Sequence, residues 1–250
     1  MPNNLLPAGP SASHDMPHSI SRRAVLAALA AVAATPVRAD PSVDLQLVLA
    51  IDVSGSVNQT RYELQRLGYA EAFRAAEVLA AIRSGPRRVI SVTLTQWTGP
   101  GQQEQVLAWR RLGDEADVKA FASEIDAMPR KLFSGGTSIS GAIDHAVKLL
   151  QSGPDQGARR VIDVSGDGRN NRGRPSEAAR DEAVKAGVVI NGLPIMALEP
   201  DLDQVYRDAV IGGDGSFMVV AESYYTFAAA VRRKLIQEIA VIDRALAVPA

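Results

Sequence analysis

The stretch that most limits what this chain can fold into runs from Leu45 to Ser56, LQLVLAIDVSGS. Leu45 to Ile51 is apolar but for Gln46, and it ends abruptly in Asp52-Val53-Ser54-Gly55-Ser56. A run this short and this rich in aliphatic residues reads as a strand buried on both faces. Such a strand needs a paired strand on each side and a covering layer above and below. Past its end, alternate residues of an extended segment point the same way. Asp52, Ser54 and Ser56 can therefore converge on one point. One carboxylate and two hydroxyls, with no sulfur or imidazole, suit a hard divalent cation: Mg²⁺ or Mn²⁺, with Ca²⁺ left open.

The rest of the chain supplies the partners that strand requires. Asn58 to Arg83 reads as one helix, with Thr60 and Glu63 in capping-box spacing. Arg88 to Trp97 alternates like a strand, Thr98-Gly99-Pro100-Gly101 turns the chain, and Glu104 to Leu112 returns as its antiparallel partner. Asp114 to Met128 is an amphipathic helix. A loop, Ser134 to Ser138, precedes a helix from Ile139 to Leu150. Arg160 to Ser165 is a strand ending in Gly166-Asp167-Gly168. Pro175 and Ser176 open a helix that closes at Gly187. Val188 to Ile195 is a further strand, Leu202 to Ile211 a short helix, Ser216 to Ala221 a last strand and Tyr224 to Leu246 a last helix. Strands alternating with helices imply an α/β fold: a doubly wound, mostly parallel central sheet with one antiparallel edge strand and helices on both faces. Ligands of such sheets bind beyond the carboxyl ends of the strands, and Asp52, Thr137 and Asp167 all fall at that edge.

The first 39 residues stand apart. Arg22-Arg23 precedes eleven small or apolar residues, Ala24 to Ala34, and Val37-Arg38-Ala39 offers a cleavage site before Asp40. That is the form of a signal peptide, and Ser21 to Leu26 resembles a twin-arginine signal. Met16 is an alternative start that would shorten the leader. Eleven residues are too few to span hydrocarbon, which takes about 20, so no stable membrane span is expected after cleavage. Residues 40–250 read as one domain, its core from about 43 to 245, in a periplasmic or secreted protein. The formal charge is -1 over 250 residues, and -3 once 1–39 are removed with their three Arg and one Asp. Neither value, nor any basic run interleaved with aromatics, makes an electrostatic case for nucleic acid. With no Cys, disulfides, thiolate zinc sites and cysteine nucleophiles are excluded.

Asp52-Val53-Ser54-Gly55-Ser56, then Gly136-Thr137, then Ser165-Gly166-Asp167-Gly168 together resemble the von Willebrand factor A-type domain. That family carries a metal-ion-dependent adhesion site built from a D-x-S-x-S loop, a distant Thr and a further Asp. The resemblance covers about residues 43 to 245 and assigns Asp52, Ser54, Ser56, Thr137 and Asp167 to the metal. It departs at one point: many members have Thr-Asp-Gly where this chain has Gly166-Asp167-Gly168. Three further stretches, around Gln96-Trp97, Val161 to Gly168 and Val210 to Phe217, are similar to an exported bacterial subgroup of these domains with no assigned function. The resemblance implies a protein partner that offers an Asp or Glu carboxylate to the bound ion.

Other residues read as structural. Asp163 interrupts a buried strand and needs hydrogen-bonding partners there. His145, the only His after residue 39, falls off the apolar stripe of its helix and reads as a solvated residue rather than a base for Ser54 or Ser56. Trp97 and Trp109 flank the hairpin as packing residues, with Trp97 a lesser candidate for the binding rim. Arg169 to Arg174 is a basic loop, solvated or turned toward an acidic partner. Thr137 and Ser138 are N-cap candidates, and Gly212 to Gly215 is a tight turn.

The sequence thus points to a non-enzymatic, metal-dependent protein-binding module. One alternative is a Mg²⁺-dependent hydrolase. Asp52 with Gly166-Asp167-Gly168 looks partly like the haloacid-dehalogenase phosphatases, but the position two residues after Asp52 is Ser54, which lacks the acid/base carboxylate. The other is a structural or assembly factor that uses metal only for stability.

Overall fold

In a computed structural model, which describes residues 42–240, the Leu45 run becomes the central strand of a sheet. The strands are β1 (Val43–Asp52), β2 (Ile90–Trp97), β3 (Gln103–Leu112), β4 (Gly157–Gly166) and β5 (Val189–Pro194). They form one sheet in the order β3-β2-β1-β4-β5. All pairings are parallel except the β2–β3 hairpin. Every residue of β1 is buried, as a strand flanked on both edges and covered on both faces must be. Its side chains alternate between two cores. Leu45, Leu47, Leu49 and Ile51 enter one, and Val48 and Ala50 enter the other.

Among the described residues seven helices cover the faces: α1 (Gln59–Arg74), α2 (Ala76–Ser84), α3 (Glu115–Ala127), α4 (Ile139–Ser152), α5 (Ser176–Lys185), α6 (Leu202–Ala209) and α7 (Phe227–Ala240). Residues from α1, α2, α3 and α7 join the first core, and those from α4, α5 and α6 the second. Truncating a central leucine such as Leu47 to Ala should cost about 2–5 kcal/mol. Helices α1 and α7 approach closely. A side chain at Gly68 would begin 2.8 Å from the Phe227 ring.

The structure corrects four sequence expectations here. The single helix over Asn58 to Arg83 is two, separated at Ala75, whose φ of -68° and ψ of 132° are extended. The capping box at Thr60 and Glu63 does not form. Asn58 caps α1 instead, accepting from Arg61 N–H at 2.9 Å, and Glu63 pairs with Arg66. Ser216 to Ala221 is not a strand. Its backbone pairs with β5 through isolated bridges such as Gly192 with Met218. The last helix starts at Phe227 rather than Tyr224. Its expected continuation from 241 to 246, and the leader over 1–39, lie outside the described residues. Among those described, no helix is long and apolar enough to cross a membrane.

Buried Asp163 finds its partners on α7. Lys234 Nζ lies 2.7 Å from Asp163 Oδ1 and 3.3 Å from Glu238 Oε2, and all three side chains are fully buried. Asn191 Nδ2 donates to Glu238 Oε1 at 2.8 Å. Burial pushes the Asp163 carboxyl up to about 7 against the pull of Lys234. Its role is structural, as its place well short of the strand end implied.

Candidate metal centre

β1 stands where the strand order reverses, with β2 on one side and β4 on the other. Connections leaving β1 and β4 diverge there, and the crevice beyond the strand ends is the usual ligand site of an open α/β sheet. Asp52 is the last residue of β1, in register with Trp97, while Ile51 is in register with Ser165. Asp167 follows the end of β4 directly. The sheet therefore places the two carboxylates side by side.

The loop after Asp52 is held from several directions. Asp52 Oδ1 accepts from Ser54 N–H at 2.7 Å. Gln65 Nε2 on α1 donates to Asp52 O at 3.0 Å, and Arg130 donates to Val53 O at 2.9 Å. Ser54 Oγ and Ser56 Oγ lie 3.1 Å apart. Ser56 Oγ donates to Asp167 Oδ1 at 2.5 Å, and Tyr224 Oη donates to Asp167 Oδ2 at 2.9 Å. Arg61 Nη1 approaches that same oxygen at 3.3 Å.

Ser54, Ser56 and Asp167 are thus joined in one hydrogen-bonded chain beside Asp52. Thr137 is buried on the adjoining loop. Its N–H donates to Asn171 Oδ1 at 2.9 Å, and its carbonyl accepts from the Asn171 and Arg172 N–H groups. Those contacts tie the Thr137 loop to the one carrying Asp167. Thr137 Oγ1 lies 3.8 Å from where a side chain on Gly168 would begin. Ser138, not Thr137, caps α4, accepting from Gly141 N–H at 3.2 Å.

The residues fit a hard cation. Asp52 is fully buried, yet its Oδ2 has no hydrogen-bond partner. Burial first, and then the charge of Asp167, push the Asp52 carboxyl up to about 7, against the hydrogen bonds from Ser54. A carboxylate in that position gains from any positive charge placed beside it. The donors are all oxygens, which suits Mg²⁺, Mn²⁺ or Ca²⁺ over soft metals. Among the described residues no group of three or more His, Cys, Asp or Glu is placed to hold a metal. An ion bound here would draw on the hydroxyls of Ser54, Ser56 and Thr137 beside two carboxylates.

Gly166, the departure from the usual Thr-Asp-Gly, has a steric reason. A side chain there would begin 2.9 Å from Tyr206 Oη and 3.0 Å from Asp52 Oδ2. Tyr206, fully buried on α6, takes the room a threonine would need.

Three other expectations change. Trp97 is wholly buried and forms no part of a binding rim. His145 is half-buried rather than solvated, and its Nε2 is enclosed without a partner. It lines a surface cavity of about 250 Å³ with Ser138, Ser140 and Lys148, and no hydrogen bond links it to Ser54 or Ser56. In the basic loop, Arg169 pairs with Glu199 and Asp201, and Arg174 with Asp144 and Glu182. Those arginines brace the loop. Arg61, Tyr224, Gln65 and Tyr206 were not foreseen as parts of the site. Gln65 is a polar residue on the buried face of α1, between Tyr62 and Tyr69.

Residues 42–243 match the family model described as "Protein of unknown function (DUF1194)". The chain belongs to this DUF1194 family. No curated protein matches it. Solved structures show what fold a DUF1194 chain adopts. It is similar to a von Willebrand factor type A protein from Catenulispora acidiphila (18% identity, TM-score 0.55), covering 79% of this chain and 43% of that one. It is similar to proximal thread matrix protein 1 from the mussel byssus, in a form with a zinc-occupied MIDAS motif (15%, TM-score 0.56), covering 79% and 46%. It is also similar to the pilus adhesin SpaC from Lactobacillus rhamnosus GG (15%, TM-score 0.57), covering 79% and 30%. The matched DUF1194 chain spans less than half the length of each. At these identities the likeness establishes the fold, a von Willebrand factor A-like α/β domain.

Proposed function

We propose that this chain is an exported, non-enzymatic binding module. Asp52, Ser54, Ser56, Thr137 and Asp167 hold a divalent cation, Mg²⁺ or Mn²⁺, which accepts an Asp or Glu carboxylate from a partner protein. The observation that carries this reading is the Asp52–Ser54–Ser56–Asp167 cluster at the point where the strand order reverses, with one buried carboxylate oxygen unpartnered. Neutral hydroxyls leave a dication incompletely neutralised, so it retains affinity for an outside anion. The zinc-occupied MIDAS of the mussel protein and the adhesin among the similar structures agree with metal-mediated protein binding.

The surface around the cluster also suits a protein ligand. Four large apolar side chains are well exposed among the described residues: Leu67, Phe133, Leu198 and Tyr225. Three of them are linked to the cluster through a neighbouring residue. Phe133 lies under Arg130, which holds the Val53 carbonyl. Leu198 precedes Glu199, the partner of Arg169 N–H. Tyr225 follows Tyr224, the donor to Asp167. Exposed apolar groups around a polar centre are a mark of protein-interaction surfaces. The test is capture of partners from envelope extract by the immobilised protein, with and without EDTA, repeated with Asp52→Ala. Binding that survives both EDTA and the substitution, with the fold intact, would remove the reading.

A further inference from the structure

Arg61 is placed against the interest of its own helix. It sits in the first turn of α1, where the helix dipole disfavours a cation, and that turn contains no acidic residue. Its guanidinium turns back toward the cluster. Nη1 donates to Ser56 O at 2.8 Å and lies 3.3 Å from Asp167 Oδ2. The group also stacks over the Tyr224 ring, 5.3 Å from its centroid, while Tyr224 Oη holds the same carboxylate oxygen. The Arg61 side chain is 26% exposed and Asp167 is fully buried. A permanent cation therefore reaches from the rim onto one of the two buried carboxylates.

We infer that Arg61 is a built-in counter-ion that competes with the divalent cation for Asp167 and tunes how tightly the site is filled. The inference rests on the metal-binding reading above. With both carboxylates ionised, Asp52, Asp167 and Arg61 carry one net negative charge, and without Arg61 they carry two. A dication is attracted more strongly to the second arrangement, and at this burial the difference is only partly screened. The same charge acts in the opposite direction on an incoming anion. With Arg61 present the filled site is one net positive, and without it neutral. Arg61 gives up cation affinity and adds attraction for a carboxylate, so the site fills and empties within a working range of free Mg²⁺ rather than staying permanently loaded.

The test is isothermal titration of Mg²⁺ alone into the EDTA-stripped protein, with Arg61→Lys, Arg61→Gln and Arg61→Glu beside the wild type. Urea midpoints establish that each is folded. Glutamine and glutamate are good helix formers, and the three variants together do not depend on any one folding. The expected result is an affinity order set by charge. Lys binds about as the wild type does, Gln about tenfold tighter, and Glu tighter again, tenfold being about 1.4 kcal/mol. A merely structural role for Arg61 would weaken binding in all three. Unchanged or weaker binding in Gln and Glu, with the wild type binding Mg²⁺, overturns the inference and leaves the metal site standing. No Mg²⁺ binding by the wild type removes both.

Discussion

The molecule buries two pairs of negative groups, each with one cation, and treats them in opposite ways. In the core, Asp163 and Glu238 enclose Lys234, and Asn191 satisfies a remaining oxygen. At the sheet edge, Arg61 reaches Asp167 but not Asp52, and Asp52 Oδ2, like Asp163 Oδ2 in the core, has no hydrogen-bond partner. Burial raises Asp163 and Asp52 alike, each to about 7. What separates the two places is closure. The core cation is as buried as its partners and arrives from one helix face. The edge cation arrives from the rim, where Ser56 is half-buried beside it. A buried carboxylate with a raised pKa is therefore not by itself a site; Asp52 differs in standing at the last pair of its strand, beside the loops.

The contrast can be broken most sharply at Lys234. Lys234→Met leaves two buried carboxylates without their cation and should cost about 3–5 kcal/mol in urea denaturation. Asp52→Ala, which removes an under-compensated charge, should change stability far less. Equal costs would erase the distinction. Metal comes next. Mg²⁺ at about a hundred times its Kd should stabilise the stripped protein by about 2.7 kcal/mol. Asp167→Ala should abolish that gain and Asp163→Asn should keep it, as thermal melts would reveal.

Gly166→Thr, which restores the more usual family residue, should destabilise by about 1–3 kcal/mol through its clash with Tyr206. A neutral result would mean that Tyr206 moves aside, measurable by the same denaturation. A separate effect is in the pH slope of the metal-free protein. A carboxyl whose folded pKa lies above its unfolded value holds its proton longer in the folded state. Stability should therefore fall as pH rises from about 4 to about 7. Asp163, facing Lys234 and Glu238 on α7 and near the Tyr69 hydroxyl of α1, shares that slope with Asp52. Asp163→Asn should flatten it by up to about 1.4 kcal/mol per pH unit. An unchanged slope would place the titration elsewhere.

Much of this was legible in sequence because it is local. The Leu45 run, the turn residues after Asp52 and the strand before Asp167 state their conformations within a few residues of themselves. Arg61 and Tyr224 could not be read that way. They meet Asp167 across 106 and 57 residues of chain, and nothing near either marks it as part of the site. The break at Ala75 carries no glycine or proline to announce it. Ser216 to Ala221 has the composition of a strand, but Pro194 has no N–H to offer it. Asn191 Oδ1 also accepts the Phe217 N–H at 2.9 Å, replacing a backbone partner with a side chain.

That irregular segment has a consequence for how anything can attach. It lies along the free side of β5 and occupies that margin without offering a regular row of open backbone groups. On the other margin, β3 is offset twice against β2, and Arg110 and Arg111 are tied to Glu124 and Asp155. Offsets and charges of this kind make a poor template for another chain's strand. Both lateral margins thus discourage extension of the sheet by a visitor, including a second copy of the same protein. A ligand that recognises this molecule finds no ready edge on which to add a strand.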